Sequence, residues 1–423
     1  MKEDNFKVYG YRWVMLVVFM FIVAINQLLW ITFASITTDA VKFYGVSDLS
    51  IGLLSMIFMI VYIVVSIPAS WVIDTYGLRV AVGIGAALTG IFGLMRGLTA
   101  SSYTLVMVAQ IGIAVGQPFI LNAVTTVAAR WFPVRERATA SGLGSLAMYL
   151  GIFLGLALTP ILTIRFQIGG MLVAYGIASV VAALVFFVFA RERPATPPCP
   201  PGMEVRSLVF DGFKQMFRQR NFILLLIIFF VGLGAFNAVT TWIENIIAPR
   251  GFTSTQAGTV GGLMIVGGIV GALIVPSLSD RYRKRVPFII LALAGATLGL
   301  IGIAYATSYW LLLTGSAVMG FFLLSSGPIG FQYGAEVTYP TPEGTSNGLL
   351  LMMGQISGII FIFAMDAFKS PQTGSMTLSL VVIIALMVVS IVLGALLREP
   401  KIFITESDKS KEKGVPVEGT INQ

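Results

Sequence analysis

The sequence has no histidine and a single cysteine, Cys199. Without histidine the commonest metal ligand and general base is missing, and one thiol cannot close an intrachain disulfide. Charge is scarce too. Only 11% of the 423 residues are Asp, Glu, Lys or Arg, against about 25% in ordinary soluble domains. Hydrophobic residues make up 57%, more than a soluble fold can hide while keeping a polar exterior. Disorder, a coiled coil and a secreted disulfide scaffold are excluded on the same grounds. The chain is an integral membrane protein whose partner is the lipid bilayer.

Apolar runs of about 18 or more residues read as transmembrane helices. They are expected near 12–38, 49–73, 79–98, 103–129, 139–162, 167–190, 220–247, 255–279, 286–305, 309–334, 344–368 and 374–397. The fold class is therefore all-α, with twelve transmembrane helices in two pseudo-symmetric six-helix bundles. The expected units are a short N-terminal stretch (1–11), one bundle (12–190), a linker (191–219), a second bundle (220–397) and a disordered tail (398–423). Prolines 197, 198, 200 and 201 keep the linker from continuing a helix. Val209, Phe213 and Phe217 then recur at helical spacing, as in an amphipathic helix lying on a membrane surface. The 45 glycines fit close helix packing in lipid, as at Gly261-Gly262 and Gly267-Gly268.

Lys and Arg set the orientation. With both termini cytoplasmic, 22 of the 27 fall in cytoplasmic segments and five outside, namely Lys42, Arg96, Arg165, Arg250 and Lys369. A multi-pass protein of the cell membrane is expected. The net charge of +8 then belongs to short topogenic loops, and nucleic acid is not a partner. Arg96, closing span three, is expected to snorkel to the surface.

The halves repeat. Asp74-Thr75-Tyr76-Gly77-Leu78-Arg79 returns as Asp280-Arg281-Tyr282-Arg283-Lys284-Arg285, and Gly142-Leu143 returns as Gly348-Leu349, both displaced by 206 positions. Parallel repeats of this kind place a substrate site near mid-membrane between the halves. Polar side chains are costly in a span and therefore informative. Span one carries Asn26, Gln27 and Trp30, span four Gln117 and Asn122, span five Tyr149, span seven Asn237 and span eleven Gln355. Spacings of i+3 and i+4 put both span-one amides on the Trp30 face. Neutral amides beside one indole suit a small solute with a cationic or zwitterionic head. The alternative is interhelical hydrogen bonding with no ligand. Glu244, toward the outer end of span seven, reads as a cation-entry or proton-coupling group, or else as a solvated helix end beside Arg250.

The segment 74–79 resembles the loop 2–3 signature of the major facilitator superfamily, with 280–285 as its second copy. The resemblance implies a cytoplasmic latch through Asp74, Gly77 and Arg79, repeated at Asp280, Arg281 and Arg285. Ser70, Thr75 and Arg283 depart from the signature. Leu29-Trp30-Ile31, Ile67-Pro68-Ala69-Ser70-Trp71, Gly116-Gln117-Pro118-Phe119 and Gly344-Thr345-Ser346-Asn347-Gly348 are similar to the feline leukaemia virus subgroup C receptor (FLVCR) family. That family is associated with choline and ethanolamine, and haem export has also been attributed to it. The resemblance implies substrate contacts at Trp30, Gln117 and Gln355. The family's span-seven tyrosine falls on Asn237, which makes this site more polar. A secondary transporter of a small organic cation or zwitterion is expected, acting as a monomer without cofactor or metal. The rival solutes are an organic anion, a vitamin-like molecule or haem. A rival class is a non-transporting receptor or membrane-embedded enzyme, and no nucleophile, metal-ligand set or ATP loop supports catalysis.

Overall fold

The structure, a computed structural model, describes residues 8–133, 136–196, 216–338 and 343–399. Cys199, most of the expected linker helix and the tail beyond Glu399 lie outside the described residues. Tyr11–Ile31 (α1), Thr37–Tyr44 (α2), Asp48–Tyr76 (α3), Leu78–Leu98 (α4), Tyr103–Leu121 (α5), Val124–Trp131 (α6) and Arg137–Phe189 (α7) form the first half. Arg220–Thr241 (α8), Ile243–Ile247 (α9), Ser254–Tyr282 (α10), Val286–Tyr305 (α11), Tyr309–Thr338 (α12), Glu343–Ala367 (α13) and Thr377–Ala395 (α14) form the second. Eleven helical stretches among the described residues are long and apolar enough to cross a membrane.

One of these crosses twice. A straight helix of the 53 residues of α7 would reach about 80 Å. Gln167 instead has φ 59° and ψ 174°, outside helical geometry. The Thr159 and Tyr175 hydroxyls, 16 residues apart, meet at 2.9 Å, where continuous helix would separate them by about 24 Å. So α7 is two antiparallel spans folded at Gln167, and the expected twelve crossings result. Both ends of the described chain lie at one end of the bundle, the terminal end. The opposite end is the distal end.

The repeat extends beyond the sequence landmarks. Ser47 and Thr253, 206 positions apart, cap α3 and α10 by accepting from Ser50 N and Gln256 N. Both helices run 29 residues, ending at Tyr76 and Tyr282. α5 and α12 begin at Tyr103 and Tyr309 with the same displacement. The halves meet along two seams, α3 against α13 and α7 against α10. Small residues make these approaches possible. A Cβ on Gly258 would overlap the Leu156 carbonyl across the α7–α10 seam, and one on Gly320 would overlap the Met264 carbonyl between α10 and α12.

Three expected spans are broken instead of continuous. Span one stops at Ile31 and resumes as α2, because Thr32 turns its hydroxyl back to the Leu28 and Leu29 carbonyls and competes with the helix. Span four breaks at Asn122, just after Pro118. The Asn122 amide bonds Ser66 O, Ser66 Oγ and Ser70 Oγ, and accepts from Tyr62 at 2.8 Å. Span seven breaks at Trp242. Broken helices in a transporter core concentrate where solute binds.

Candidate functional site

The mid-depth polar residues divide by whether the protein already satisfies them. Asn26 is fully enclosed and donates to Thr89 Oγ1 on α4 at 3.2 Å. Gln27 reaches Asn26 Oδ1 and lies beside Gly151 of α7. Trp30 Nε1 donates to Ser55 O on α3 at 3.0 Å. The three therefore lie at the spacing of one helix face but do not share a partner. α1 is surrounded by α3, α4, α5 and α7, so each side chain meets a different helix. Asn26 joins α1 to α4 within the first half, and Gln27 bonds Asn26 on its own helix. Asn237 donates to Gly354 O on α13 at 3.1 Å and lies beside Gly358.

Gln117, Tyr149 and Gln355 behave differently. None of them makes a hydrogen bond with a described residue, yet none is a sealed orphan. Tyr149 and Gln355 are half-buried, and Gln117 is buried in α5. Tyr149 and Gln355 lie about 18 Å from the starts of their helices, and Gln117 about 21 Å from either end of the broken span Tyr103–Trp131. Tyr149 and Gln355 are repeat mates, 206 positions apart on the two seam helices. Tyr149 is one turn from Phe153, which meets Gly262 across the α7–α10 seam. Gln355 flanks Gly358, which meets Met59 across the α3–α13 seam. All three are donors and acceptors with capacity to spare; Tyr149 and Gln355 lie on the seam helices, and Gln117 lies on α5, which packs on α1, α3 and α4 of its own half. An apolar groove of about 260 Å³ lined by Phe217, Ile223, Leu226, Ile227, Phe230 and Met353 lies apart from them.

Distal to this set, the halves close on each other. The Trp242 ring packs on Gly52 of α3, so tightly that a Cβ there would lie 2.8 Å from the indole. Trp242 Nε1 donates to Ile362 O at 3.1 Å. Helix α9 follows, beyond the end of the α8 span, and carries Glu244. This residue is only 2% exposed. It accepts from the Thr38 backbone N–H at 2.9 Å and from Ser254 Oγ at 2.8 Å. Thr38 and Glu244 are themselves repeat mates, separated by 206. Equivalent residues can touch only on the pseudo-two-fold axis, so Glu244 closes the distal end at its centre. It is not a solvated helix end beside Arg250, whose guanidinium instead bonds the Ile246, Ile303 and Ala306 carbonyls. Burial raises the Glu244 carboxyl above its ordinary 4.5, against the Thr38 and Ser254 bonds that favour its charged form, while Asp39 nearby raises it further. Ser254 also reaches Asp39, and Lys369 pairs with Asp48 across the halves.

At the terminal end the signature residues tie each half to itself. Gly77 has φ +96°, and a Cβ there would overlap the Glu192 carboxylate. Glu192 accepts from Leu78 N at 3.0 Å and Arg79 N at 2.7 Å, and pairs with Arg130. The Asp74 and Arg79 side chains are exposed and make no ion pair with a described residue. In the second copy, Arg285 pairs with Asp280 and with Glu336, while Arg281 is exposed. Glu399 accepts from Arg285 N at 3.0 Å and Val286 N at 2.9 Å. Glu192 and Glu399 were not identified from the sequence. Their signal is an Arg-Glu pair after span six, 191–192, that returns after span twelve, 398–399. Arg96 was expected to snorkel but is fully enclosed, bonded to Leu29 O, Thr32 Oγ1 and Gln110 Oε1.

The family model described as Major Facilitator Superfamily matches residues 9–362. "Solute carrier family 49 member A3" of Xenopus tropicalis is 30% identical over 87% of this chain and 80% of that protein. "Choline/ethanolamine transporter flvcr2b" of Danio rerio is 30% identical over 86% of this chain and 80% of its own. "Choline/ethanolamine transporter FLVCR1" of Felis catus is 30% identical over 97% of this chain and 77% of its own. In overall fold the chain matches a bacterial homologue of the human lysosomal transporter Spinster, with TM-score 0.72, 15% identity, and coverage of 92% of this chain and 98% of the other.

Proposed function

We propose, for a chain that belongs to the Major Facilitator Superfamily and to its FLVCR and solute carrier family 49 branch, that it carries a small amine or amino-alcohol across the membrane by alternating access. The observation that carries this reading is the contrast at mid-depth. Asn26, Trp30 and Asn237 use their polar groups on neighbouring helices and Gln27 bonds Asn26, whereas Gln117, Tyr149 and Gln355 make no hydrogen bond with a described residue. Amide oxygens and a phenol offer an ammonium hydrogen-bond acceptors without the cost of a buried charge. The relatives named as choline/ethanolamine transporters support the same solute class. Asn237 supplies an amide where the resemblance implies an aromatic wall. A primary ammonium, which donates hydrogen bonds, is therefore served better than a quaternary one, and ethanolamine is the favoured solute over choline.

The terminal end faces the cytoplasm, as the Lys and Arg distribution supports. The distal end then faces outward, and the state described is closed to the outside. Solute enters from outside when the Thr38–Glu244 contact on the axis parts, and leaves inward when it re-forms. Glu244 thus acts at the outer gate, and the cation it attracts there is the solute itself. The test is uptake of labelled ethanolamine and choline into proteoliposomes. Gln117→Ala and Gln355→Ala are expected to raise KM about tenfold, the loss of roughly one hydrogen bond to a charged group. Transport of neither amine, or unchanged kinetics in both variants, would overturn the reading.

A further inference from the structure

Helix α1 stops at Ile31 although the apolar run continues, and a helix end leaves its last carbonyls without donors. Two side chains from elsewhere in the chain converge on one of them, Leu29 O. Arg96 Nη1 donates to Leu29 O at 2.9 Å, and Gln110 Nε2 donates to the same oxygen at 3.3 Å. Arg96 also holds Gln110 Oε1 at 2.8 Å and Thr32 Oγ1 at 3.3 Å. Gln110 Nε2 further donates to Leu54 O on α3 at 3.0 Å. Both side chains are fully enclosed. The bonded partners of Arg96 are all neutral. Its charge is set against the negative end of the α1 dipole and the Phe33 ring, 5.8 Å away. Enclosing a guanidinium without a carboxylate is costly, so its placement calls for a reason beyond packing.

The reason lies in what the pair brackets. Trp30 sits between Leu29, held by both side chains, and Thr32, held by Arg96. Its indole donates to Ser55 O, and Ser55 Oγ returns a bond to Trp30 O at 3.4 Å. Gln110 grips Leu54, the residue next to Ser55. One buried unit therefore clamps both backbone segments that fix the indole. We infer that Arg96 and Gln110 are positioning residues that set the place of Trp30 and, through it, the affinity for solute. This rests on the proposed function, with Trp30 as the solute contact that the family resemblance implies.

The second half supplies an internal control. Arg250 ties Ile246 O, near the end of α9, to Ile303 O and Ala306 O at the end of α11. The chemistry is alike, a guanidinium set on helix-end carbonyls, but this arginine does not bracket Trp30. Arg96→Lys keeps the charge while losing the planar fork. Gln110→Glu keeps the acceptor for Arg96 but loses both donations.

The experiment measures binding of labelled ethanolamine to the purified full-length protein, alongside hydrogen exchange. Arg96→Lys and Gln110→Glu are expected to raise Kd about tenfold and to speed exchange over Leu28–Ile36. Arg250→Lys should change neither. In a Trp30→Ala background, Arg96→Lys should raise Kd no further. If Trp30→Ala weakens binding but the Arg96 and Gln110 variants bind as the parent does, the positioning inference is wrong. Unchanged exchange over Leu28–Ile36 would overturn it even without a ligand. If Trp30→Ala binds normally, the positioning inference falls with its premise; if the parent binds no ethanolamine, the proposed function fails instead.

Discussion

The two ends of the bundle are held by opposite logic. At the distal end, several bonds between described residues run from one half to the other, as in Thr38–Glu244, Ser254–Asp39 and Lys369–Asp48, beside others within a half such as Arg250 to Ile303 O. At the terminal end they run within a half. Glu192 caps α4 and Glu399 caps α11, each accepting two backbone N–H groups of its own bundle. Bonds within a half survive rocking and make that half a rigid body. Bonds between halves must break for the other state to form. Substitutions at the two ends should therefore move different quantities, stability at one and the balance of states at the other.

The largest effect is expected at Glu244. Glu244→Ala removes the acceptor of the Thr38 hydrogen bond that crosses the halves on the pseudo-two-fold axis, about 2 kcal/mol for a bond to a charged group. That shifts the balance of states about thirtyfold toward distal opening. Labelling a Thr241→Cys reporter with a membrane-impermeant maleimide checks it, and unchanged labelling would break the comparison. Next comes Glu192→Ala, which uncaps α4. About 1 kcal/mol of stability should be lost, lowering Tm by about 2–4 °C, while reporter labelling stays as in the parent.

A smaller effect concerns pH. The distal-closed state raises the Glu244 carboxyl above 4.5, whereas opening returns it to solvent. The closed state thus holds the proton more tightly. Its extra stability is present at and below the ordinary value and is lost as pH rises through the raised one. The facing groups are Asp39, Ser254 and the Thr38 N–H, with no cation bonded to the carboxylate among the described residues. Reporter labelling should increase as pH rises above 4.5, and Glu244→Gln should flatten the curve. The smallest effect is Lys369→Ala. Its pair with Asp48 is partly exposed, so less than about 1 kcal/mol is at stake, and labelling should rise only a few-fold.

Which features were legible in advance follows from their range in the chain. The twelve crossings and the 206-residue repeat come from hydropathy and local signatures, and they reappear as matched helices such as Asp48–Tyr76 and Ser254–Tyr282. Gln117 and Gln355 also lie at mid-depth as their positions in the spans imply. The breaks at Thr32 and Trp242 were hidden, because the apolar run passes through both. What stops α1 includes Arg96 and Gln110, 67 and 81 residues from Leu29. Asn26 and Gln27 were misplaced for a related reason. Helical spacing fixes which residues share a face but not which neighbour that face meets, and α1 has neighbours on every side. Glu244 looked solvated because its partners, Thr38 and Ser254, come from loop ends that hydropathy does not join.

The account turns on free polar groups at mid-depth lying on the solute path, and one measurement addresses it directly. In a Cys199→Ser background, Tyr149→Cys and Gln27→Cys would be tested with a small methanethiosulfonate reagent, with and without ethanolamine. The account predicts that the thiol at 149 reacts and is protected by ethanolamine, while the thiol at 27 stays unreactive. A reactive thiol at 27 protected by solute, or a thiol at 149 that ethanolamine never shields, would contradict it.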